Sequence, residues 1–536
     1  MGEVITLAVG QAGCQGAASL LQVLADESRL GGGDSNSADR SAAAKRFFVP
    51  AAAGPRARPA ARAVLLDMEP QVVAAACAAA QRSGAWQYAR GAACGAQAGG
   101  CANNWAAGAL RHAPVVRAQA LGALRRQAER CDRLSGFLVM QSAAGGTGSG
   151  LGSAMVQAVR DDFPSCRILN HCVWPFEGGE VVTAPYNCVL TLDSLCQHSD
   201  GVIVAENSAL AAVCQRQLGI PRPDFADLNA VAARSLASLL LPCTVQAPPS
   251  VSAGSNASGP GGGGRGRGGG SRGGGRQARP EWDAAPAPAA PTKQPAPAAA
   301  AWDGSFSSGS RWGDDEEAAG RGGSSRPSVG SQLDAFADVC QRLCSRPGHR
   351  LLSLHTCPQL PPSSVDFTPF SWPSVLRDLR QMQAAGRVIE AGAALPAGSR
   401  AARGSGSGGQ AARLPSSNKV LANLLVIRGD GAPSADAACL ADPSLYSSAA
   451  LEQQAAMPPL AVAASAARLG QQQMLATLLS NDQAAAAPAA RALDRAALLF
   501  GPRAYMHHYE RHGLSCGDFE EALESVRGII DNYRLL

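Results

Sequence analysis

Short apolar, β-branched runs alternate with longer stretches of helical spacing through the first 245 residues. This alternation predicts a mostly parallel sheet with helices packed on its faces. Each run ends in glycine, carboxylate, amide or hydroxyl residues, and ligands of open α/β sheets bind outside those carboxyl ends. We therefore expect the functional site at that edge of the sheet. The predicted strands are residues 4–9, 63–67, 137–141, 168–173 and 202–205.

A stretch from about residue 248 to residue 330 breaks this pattern, because it consists mainly of glycine, alanine, proline, serine and arginine. Such a composition cannot bury a core, so residues 246–330 are predicted to be a long disordered insertion. The composition favours a solvated tether, and the alternative is a segment that touches RNA weakly or binds an acidic protein surface. Shorter loops are predicted at residues 31–59 and 395–417. The arginines of the insertion without acidic neighbours are Arg265, Arg267, Arg272, Arg276 and Arg279.

A second α/β unit is predicted after the insertion, with helices at residues 336–343 and 373–382 and strands at residues 351–354 and 421–428. The end of the chain has two amphipathic helical patterns separated by residues 512–516. The predicted order is a first domain of residues 1–245, including a central helix at 227–241, the insertion, an intermediate domain of residues 331–495 and a helical region of residues 496–536.

The composition is that of a packed protein, with 46% hydrophobic and 17% charged residues. A net charge of +5 is too small for generic binding to nucleic acid or an anionic membrane. The 16 cysteines form no C-x-x-C pair, and no secretory signal pattern opens the chain, so we expect free thiols in a reducing compartment. No apolar run approaches the ~18–20 residues that cross a bilayer. These features predict a soluble intracellular protein.

Lysine is rare, which excludes two classes of phosphate chemistry. The lysines are Lys45, Lys293 and Lys419, and none follows a glycine-rich turn. A Walker loop needs a lysine directly after such a turn, and a protein kinase needs one on a strand. Neither mechanism fits this sequence.

The run SAAGGTGSG at residues 142–150 follows an apolar strand and precedes a helical pattern. Glycine permits positive φ and close backbone approach, free N–H groups at a helix start attract anions, and hydroxyl groups add neutral donors. A flexible turn is the alternative, but the strand before and the helix after favour a phosphate-binding loop. The run GQAGCQ at residues 10–15 occupies the equivalent place after the first strand.

Two further strand ends offer polar groups. Asp67 and Glu69 lie in LDMEP and could hold Mg²⁺ through water beside phosphates, although an ordinary solvated strand end is the alternative. Asn103 and Asn104 lie in ANNW, where amides could bond phosphate oxygens or cap a helix.

Taken in order, GQAGCQ, LDMEP, ANNW and SAAGGTGSG resemble the tubulin family, in which a glycine-rich loop binds GTP without a Walker motif. The resemblance covers nearly the whole chain outside the insertion and the two predicted loops. RAVLLDMEP, NNWAAG and SDGVIVAEN look more like the delta type than like the alpha and beta chains of the microtubule wall. The resemblance implies a tubulin-like α/β fold: a Rossmann-like GTPase domain, a second α/β domain and C-terminal helices.

The resemblance also implies which residues hold GTP or GDP and Mg²⁺. Asp67 and Glu69 would lie near the metal, and Phe225 would stack on the base where the family usually has tyrosine. Cys14 replaces a usual asparagine and Ala184 replaces the glutamate that contacts the ribose, each lost contact being worth ~1 kcal/mol. The phosphates would be held by Gln11, Asn103, Ser142, Ala144, Gly145, Gly146, Thr147 and Gly148, and the base edge by Asn207 and Asn229.

The resemblance implies work at centrioles and basal bodies in support of triplet microtubules and cilia or flagella. Partners would be other tubulins of the alpha, beta or epsilon type and centriolar proteins, in the cytoplasm, the cytoskeleton or the nucleus. Hydrolysis in this family needs an acid from the next subunit, and the matching position in this chain is Asp338. The alternative is that Asp338 is an ordinary exposed carboxylate on a helix. The alternative function is a GTP-sensing scaffold that never polymerises and binds partners through the arginine-glycine insertion.

Two residue groups have weaker signals. Neighbouring histidines on a helix point to different faces, which favours a structural role over a metal site. Tryptophans in the insertion could form short partner-binding motifs. The two groups are His507, His508 and His512, and Trp282, Trp302 and Trp312.

Overall fold

A computed structural model describes residues 2–28, 38–51, 57–95, 99–179, 181–247, 329–361, 364, 370–386, 418–452 and 458–536. These residues belong to one compact unit spanning residues 1–251 and 326–536. The predicted insertion falls almost wholly on residues 248–328, and the predicted loop at 395–417 falls on the gap between 386 and 418. Both predictions, with the insertion's arginines and tryptophans, lie outside the described residues.

The strands of the described residues form an eleven-stranded sheet and a small three-stranded sheet of order β2-β3-β5. The order of the large sheet is β10-β13-β12-β14-β11-β9-β8-β7-β1-β4-β6. The strands are β1 (Glu3–Val9), β2 (Phe48–Val49), β3 (Ala60–Ala61), β4 (Ala63–Leu66), β5 (Gln87–Tyr88), β6 (Ala93–Cys94), β7 (Leu134–Ser142), β8 (Arg167–Trp174), β9 (Gly201–Glu206), β10 (Thr244–Val245), β11 (Leu351–Cys357), β12 (Val420–Gly429), β13 (Leu460–Ser465) and β14 (Met474–Asp482).

Helices cover the faces of the large sheet. Three turns are π-helical, namely Ala107–His112, Gly146–Leu151 and Val339–Leu343. The α-helices are α1 (Gly10–Glu27), α2 (Ala38–Phe47), α3 (Pro70–Ser83), α4 (Ala113–Ala128), α5 (Gly152–Asp162), α6 (Ala184–His198), α7 (Asn207–Arg216), α8 (Phe225–Leu240), α9 (Ala335–Asp338), α10 (Trp372–Ala385), α11 (Ser448–Glu452), α12 (Ala487–Phe500), α13 (His507–Glu510) and α14 (Cys516–Arg534).

The strand β1 lies at the centre of the parallel half of the sheet and is apolar along most of its length because both its faces are buried. Ile5, Leu7 and Val9 pack into one core cluster with helices including α4, α5, α6, α12 and α14. Val4 and Ala8 point the other way, into a second cluster with α1, α3 and α8. The predicted helix-covered α/β sheet is therefore confirmed.

The strand β11 joins the parallel half of the sheet to the mixed half. Its first residues, Leu351 and Leu352, pair in parallel with Val202 and Ile203 of β9. Residues 353–357 pair instead with β14, in the antiparallel direction. The two strands β9 and β11 therefore diverge after a two-residue contact, which leaves a wedge between them.

The structure differs from the sequence predictions at two places. Residues 31–59 were expected to be a loop, but they contain α2 and β2, because Phe47 and Phe48 are both 1% exposed and anchor this segment in the core. The strands β13 and β14 were not predicted, and the run LAVAAS of β13 shows why: alanine has weak strand preference, and pairing with β12 decides the structure there.

No helix among the described residues combines the length and apolar character needed to span a membrane. The last helices instead pack on α6, where the ring of Tyr186 lies 5.7 Å from that of Tyr509 and 5.0 Å from that of Phe519. The end of the chain thus lies against the parallel half of the sheet.

Candidate functional site

One cavity of about 330 Å³ lies at the carboxyl ends of β1, β4, β7 and β8. All thirteen residues that the sequence assigns to ligand contact line it: Gln11, Asp67, Glu69, Asn103, Ser142, Ala144, Gly145, Gly146, Thr147, Gly148, Asn207, Phe225 and Asn229. Ala12, Gln15, Val173 and Pro175 also line it and were not predicted. Gln15 could have been found from its spacing, since it follows Gln11 by one helical turn.

The cavity lies where the strand order of the sheet reverses. The chain leaves β1 for β4 on one side, and later strands continue from β7 through β8 to β9 on the other side. The two loops that follow β1 and β7 therefore face each other across a gap at the sheet edge. This switch point is the usual ligand position in open α/β sheets.

The glycines of residues 145–150 serve close packing. Gly145 has φ of −77°, and residues 145–150 do not appear among the positive-φ positions, so the expectation of positive φ is wrong for this loop. A Cβ at Gly146 would lie 2.6 Å from the Cβ of Cys101, and one at Gly150 would lie 2.0 Å from the carbonyl oxygen of Trp105. This close approach is to residues 101–105, and close approach to a phosphate stays a prediction. Positive φ occurs at Gly10, where φ is 75°.

The loop after β7 and the loop before α4 each enter a helix through a π-helical turn. The turn Gly146–Leu151 precedes α5, and the turn Ala107–His112 precedes α4. The first N–H groups of a helix have no helical acceptor, so those of residues 146–148 are available to an anion in the cavity. The hydroxyl of Thr147 donates to the sulfur of Cys101 at 3.3 Å, which ties the two loops together.

The two asparagines of ANNW have different roles. Asn103 lines the cavity and has φ of 53°, a left-handed conformation that asparagine tolerates better than most residues. Asn104 is buried instead: its Oδ1 accepts from the N–H of Ala107 at 2.9 Å, and its Nδ2 donates to the carbonyl of His508 at 2.9 Å. Of the two functions that the sequence left open, ligand contact thus suits Asn103 and helix capping is made by Asn104.

Asn187 joins the loop that contains Asn103 to the loop that contains Ala144. Its Nδ2 donates to the carbonyl oxygens of Asn103 at 2.8 Å and Ala144 at 2.7 Å. Its Oδ1 accepts from the N–H of Trp105 at 3.1 Å and from the hydroxyl of Tyr509 at 2.7 Å. This fully buried amide fixes the separation of the loops, a role that local sequence motifs did not predict.

The charged residues that line the cavity are Asp67 and Glu69. Burial raises the pKa of Asp67 to about 6, and the negative charge of Glu69 adds to this rise. The Oδ1 atom of Asp67 accepts from the N–H of Glu69 at 3.0 Å, while its Oδ2 atom is buried without a partner. A buried carboxylate oxygen of this kind fits a hydrated cation better than it fits a direct phosphate contact.

The opposite end of the cavity offers two amides and an exposed ring. Asn207 begins α7, and Asn229 lies one turn into α8. Phe225 is the first residue of α8 and is 61% exposed, although a phenyl ring gains from burial. Its ring lies 6.5 Å from that of Phe176, so two aromatic side chains border the opening. A planar heterocycle fits between these groups.

The substituted family positions contribute nothing to the cavity lining. Cys14 is fully buried, burial raises its thiol pKa, and its Sγ lies 3.8 Å from the carbonyl oxygen of Ala8. Ala184 begins α6 and lines a different cavity.

His507 and His508 lie at the start of α13 with ring centroids 4.1 Å apart. Neither histidine lines the cavity.

Asp338 does not lie at the cavity and is not exposed. It is 5% exposed, so the alternative of an exposed helical carboxylate is wrong. Its Oδ1 pairs with the Nε of Arg342 at 2.9 Å, and burial raises its pKa while Arg342 opposes that rise. A role in a neighbouring subunit stays a prediction, and it would require this carboxylate to leave Arg342 and reach the surface.

Comparison with known proteins agrees with the motifs. The GTPase-domain profile of the Tubulin/FtsZ family matches residues 3–215. The tubulin delta chain of Macaca fascicularis is 27% identical over 539 residues, and that of Homo sapiens is 27% identical over 544 residues, each covering 99% of both proteins. The tubulin beta chain of Porphyra purpurea is 32% identical over 235 residues, which are 43% of this chain and 50% of that one. The resemblance inferred from the sequence is confirmed.

Replacement of Gly150 by alanine should destabilise the protein. The new Cβ would collide with the carbonyl of Trp105, so the two loops would have to separate, at a cost of about 1–3 kcal/mol or more. Gly145→Ala is the matched control, because its Cβ would meet only the Ser142 hydroxyl at an ordinary 3.6 Å. Thermal unfolding of the two variants checks this. Equal midpoints for both would contradict the packing role.

Proposed function

Since the chain belongs to the tubulin family of guanine-nucleotide-binding proteins, we propose that the cavity at the carboxyl ends of β1, β4, β7 and β8 is its GTP site. The observation that supports this most directly is the meeting of thirteen residues from six separate segments around one cavity. They include amide donors, hydroxyl donors, free backbone N–H groups and an exposed ring, which are the groups that phosphates and a base require.

The triphosphate would lie along residues 144–148. Lysine and arginine are absent from the residues that line the cavity, so the phosphate charge would be met by backbone N–H groups, the helix start and the Ser142 hydroxyl. Gln11 and Asn103 would donate from the facing loops. The backbone at Asn103 and Ala144 is fixed before the ligand arrives, because Asn187 bonds both of their carbonyl oxygens.

A magnesium ion fits between the phosphates and the carboxylates. Asp67 and Glu69 would hold it through water, and the unpartnered Oδ2 of Asp67 is the oxygen that best suits this contact. When bound, the ion neutralises phosphate charge that no lysine or arginine in the lining opposes. Without it, the two carboxylates would repel the triphosphate.

The guanine base would lie between Asn207, Asn229 and Phe225. An asparagine side chain has both a donor and an acceptor, so it can match the carbonyl and N–H groups of the guanine edge. Adenine presents the opposite pattern there and would leave these amides unpaired. The phenyl ring of Phe225 would cover one face of the base.

Hydrolysis would need a second molecule. The carboxylates that line the cavity lie on the proposed metal side, and no histidine lines it to take a proton from water. A GTPase reaction would therefore depend on a longitudinal neighbour, in keeping with the family.

In the cell, we propose a delta-type role: assembly of centrioles and basal bodies in support of triplet microtubules and cilia. Similarity to tubulin delta chains over 99% of both proteins supports this role over one in the microtubule wall. The proposed partners are other tubulins and centriolar proteins, and the proposed location is the cytoskeleton.

GTP should bind to the nucleotide-free protein at least about tenfold more tightly than ATP, since a site built to hydrogen-bond one base edge rejects another. Asn229→Ala should reduce that preference by about tenfold, because one amide is worth ~1 kcal/mol or more. Isothermal titration with each nucleotide measures both effects. Asn532→Ala on α14 is the control, and equal affinities for GTP and ATP in the parent protein would refute the assignment.

Removal of Mg²⁺ with a chelator should weaken GTP binding by about tenfold or more in the parent protein. In Asp67→Asn this metal dependence should shrink to about twofold, because the amide keeps the shape of the carboxylate and loses its charge. Glu206→Gln is the control, since this acid lies near the site but does not line it. Full metal dependence in Asp67→Asn would exclude the carboxylate from the metal site.

A variant in which a short link replaces residues 248–328 should still fold, because the flanks are already paired: Gly330 N–H donates to the Val245 carbonyl at 2.9 Å, and Val245 N–H donates to that of Ser331 at 2.8 Å. Retained GTP binding with retained localisation to centrioles would support the delta-type role. Retained GTP binding with lost localisation would favour the alternative, a scaffold that binds partners through the insertion. Fluorescence microscopy of the tagged variant and nucleotide titration give the two readouts.

A further inference from the structure

A second cavity, of about 430 Å³, occupies the wedge between β9 and β11. It is lined by Val204, Ala205 and Glu206 of β9, by residues 353–356 of β11, and by parts of α7 and α8. The wedge exists because β9 pairs with β11 only through Val202 and Ile203, after which β11 turns to β14. The residues that line it include none of those that line the proposed GTP site.

Three side chains in this wedge cavity have a buried polar atom without a hydrogen-bond partner. These atoms are Nδ1 of His171, Nε2 of His355 and Oε1 of Gln359. His171 is 3% exposed and Gln359 is 4% exposed, so bulk water does not satisfy them. Buried polar groups in folded proteins are nearly always paired, so three side chains with an unpaired atom in the lining of one cavity favour a ligand that can hydrogen-bond to them.

The remainder of the lining is mostly apolar. The large side chains are Ile203, Leu210, Val213, Val231, Leu354 and Met382. An apolar wall with a few convergent polar atoms is typical of sites for small organic molecules. Ordered water alone would satisfy the polar atoms but would leave these apolar side chains in contact with water.

The interior of the wedge cavity is uncharged. Burial lowers the pKa of both His171 and His355 to about 4, so both rings are neutral at physiological pH. At the border, Arg491 pairs with Glu206 at 2.6 Å and with Glu177 at 2.5 Å. Arg216 lies on the exposed rim. A charged ligand such as a nucleotide would therefore lose its hydration with no compensating partner inside.

We propose that the wedge cavity is a second ligand site, which takes an uncharged, largely apolar small molecule with a few hydrogen-bonding atoms. The two imidazoles and the Gln359 carbonyl oxygen fix its orientation, and the apolar wall supplies most of its binding free energy. A flat heteroaromatic ring system with a carbonyl group satisfies these requirements. This site is independent of what occupies the cavity at the carboxyl edge of the sheet.

The uncharged dye Nile red, which is a fused ring system with a carbonyl, tests the proposal by fluorescence titration of the full-length protein. We expect saturable binding of one dye per chain. Ala212→Leu adds a side chain to the cavity wall and should weaken binding by about tenfold or more. Ala230→Leu on α8 is the matched control, because this residue is exposed and does not line the cavity.

His355→Phe separates hydrogen bonding from apolar contact, because it keeps a flat ring and removes both nitrogens. It should weaken dye binding by about tenfold while leaving the thermal midpoint unchanged or higher, since an unpaired buried nitrogen is lost. Phe225→Ala should bind the dye as the parent protein does, because Phe225 lines the other cavity. Unsaturable dye binding, or unchanged affinity in Ala212→Leu, would overturn the proposal.

Discussion

The side-chain amide of Asn187 determines the geometry on which the proposed nucleotide site depends. It uses all four of its hydrogen-bonding positions, two to the carbonyls of Asn103 and Ala144 and two to Trp105 and Tyr509. Because the amide is fully buried, loss of any one partner would leave a polar group unpaired in the interior. The two loops therefore have one preferred arrangement, which fixes the positions of the residues that they contribute to the cavity lining.

The fixed shape of the cavity explains why it is lined by glycines and not by lysine or arginine side chains. Gly146 and Gly150 let the backbone of one loop lie directly on residues 101–105 of the other, which leaves room for N–H groups and none for long side chains. In the proposed GTP site, the phosphate charge would then be balanced by the helix start and by a cation near Asp67 and Glu69. The same chain places its second, uncharged cavity where two strands part, so the two spaces suit chemically different ligands.

Local sequence predicted the strands of the parallel half and the motifs at their ends, because each motif follows its own strand and parallel strands end at one edge. Asn207, Phe225 and Asn229 were assigned only from the family resemblance. The prediction failed where contacts between distant parts of the chain determine the structure. The alanine-rich β13 depends on pairing with β12, and α2 depends on burial of its last residue, Phe47. Asn103 and Asn104 are identical in type, and only the contact of Asn104 with His508 distinguishes them. The burial of Asp338 against Arg342 likewise has no local signature.

The contacts that close the site from behind also have a consequence for its biosynthesis. Asn104 is joined to His508, which lies 404 positions later, and Asn187 is joined to Tyr509, 322 positions later. On the ribosome, the nascent polypeptide has therefore made every strand of its sheet before the partners of these two asparagines emerge. The cavity therefore takes its final shape only after translation is nearly over, and binding of the proposed nucleotide would follow.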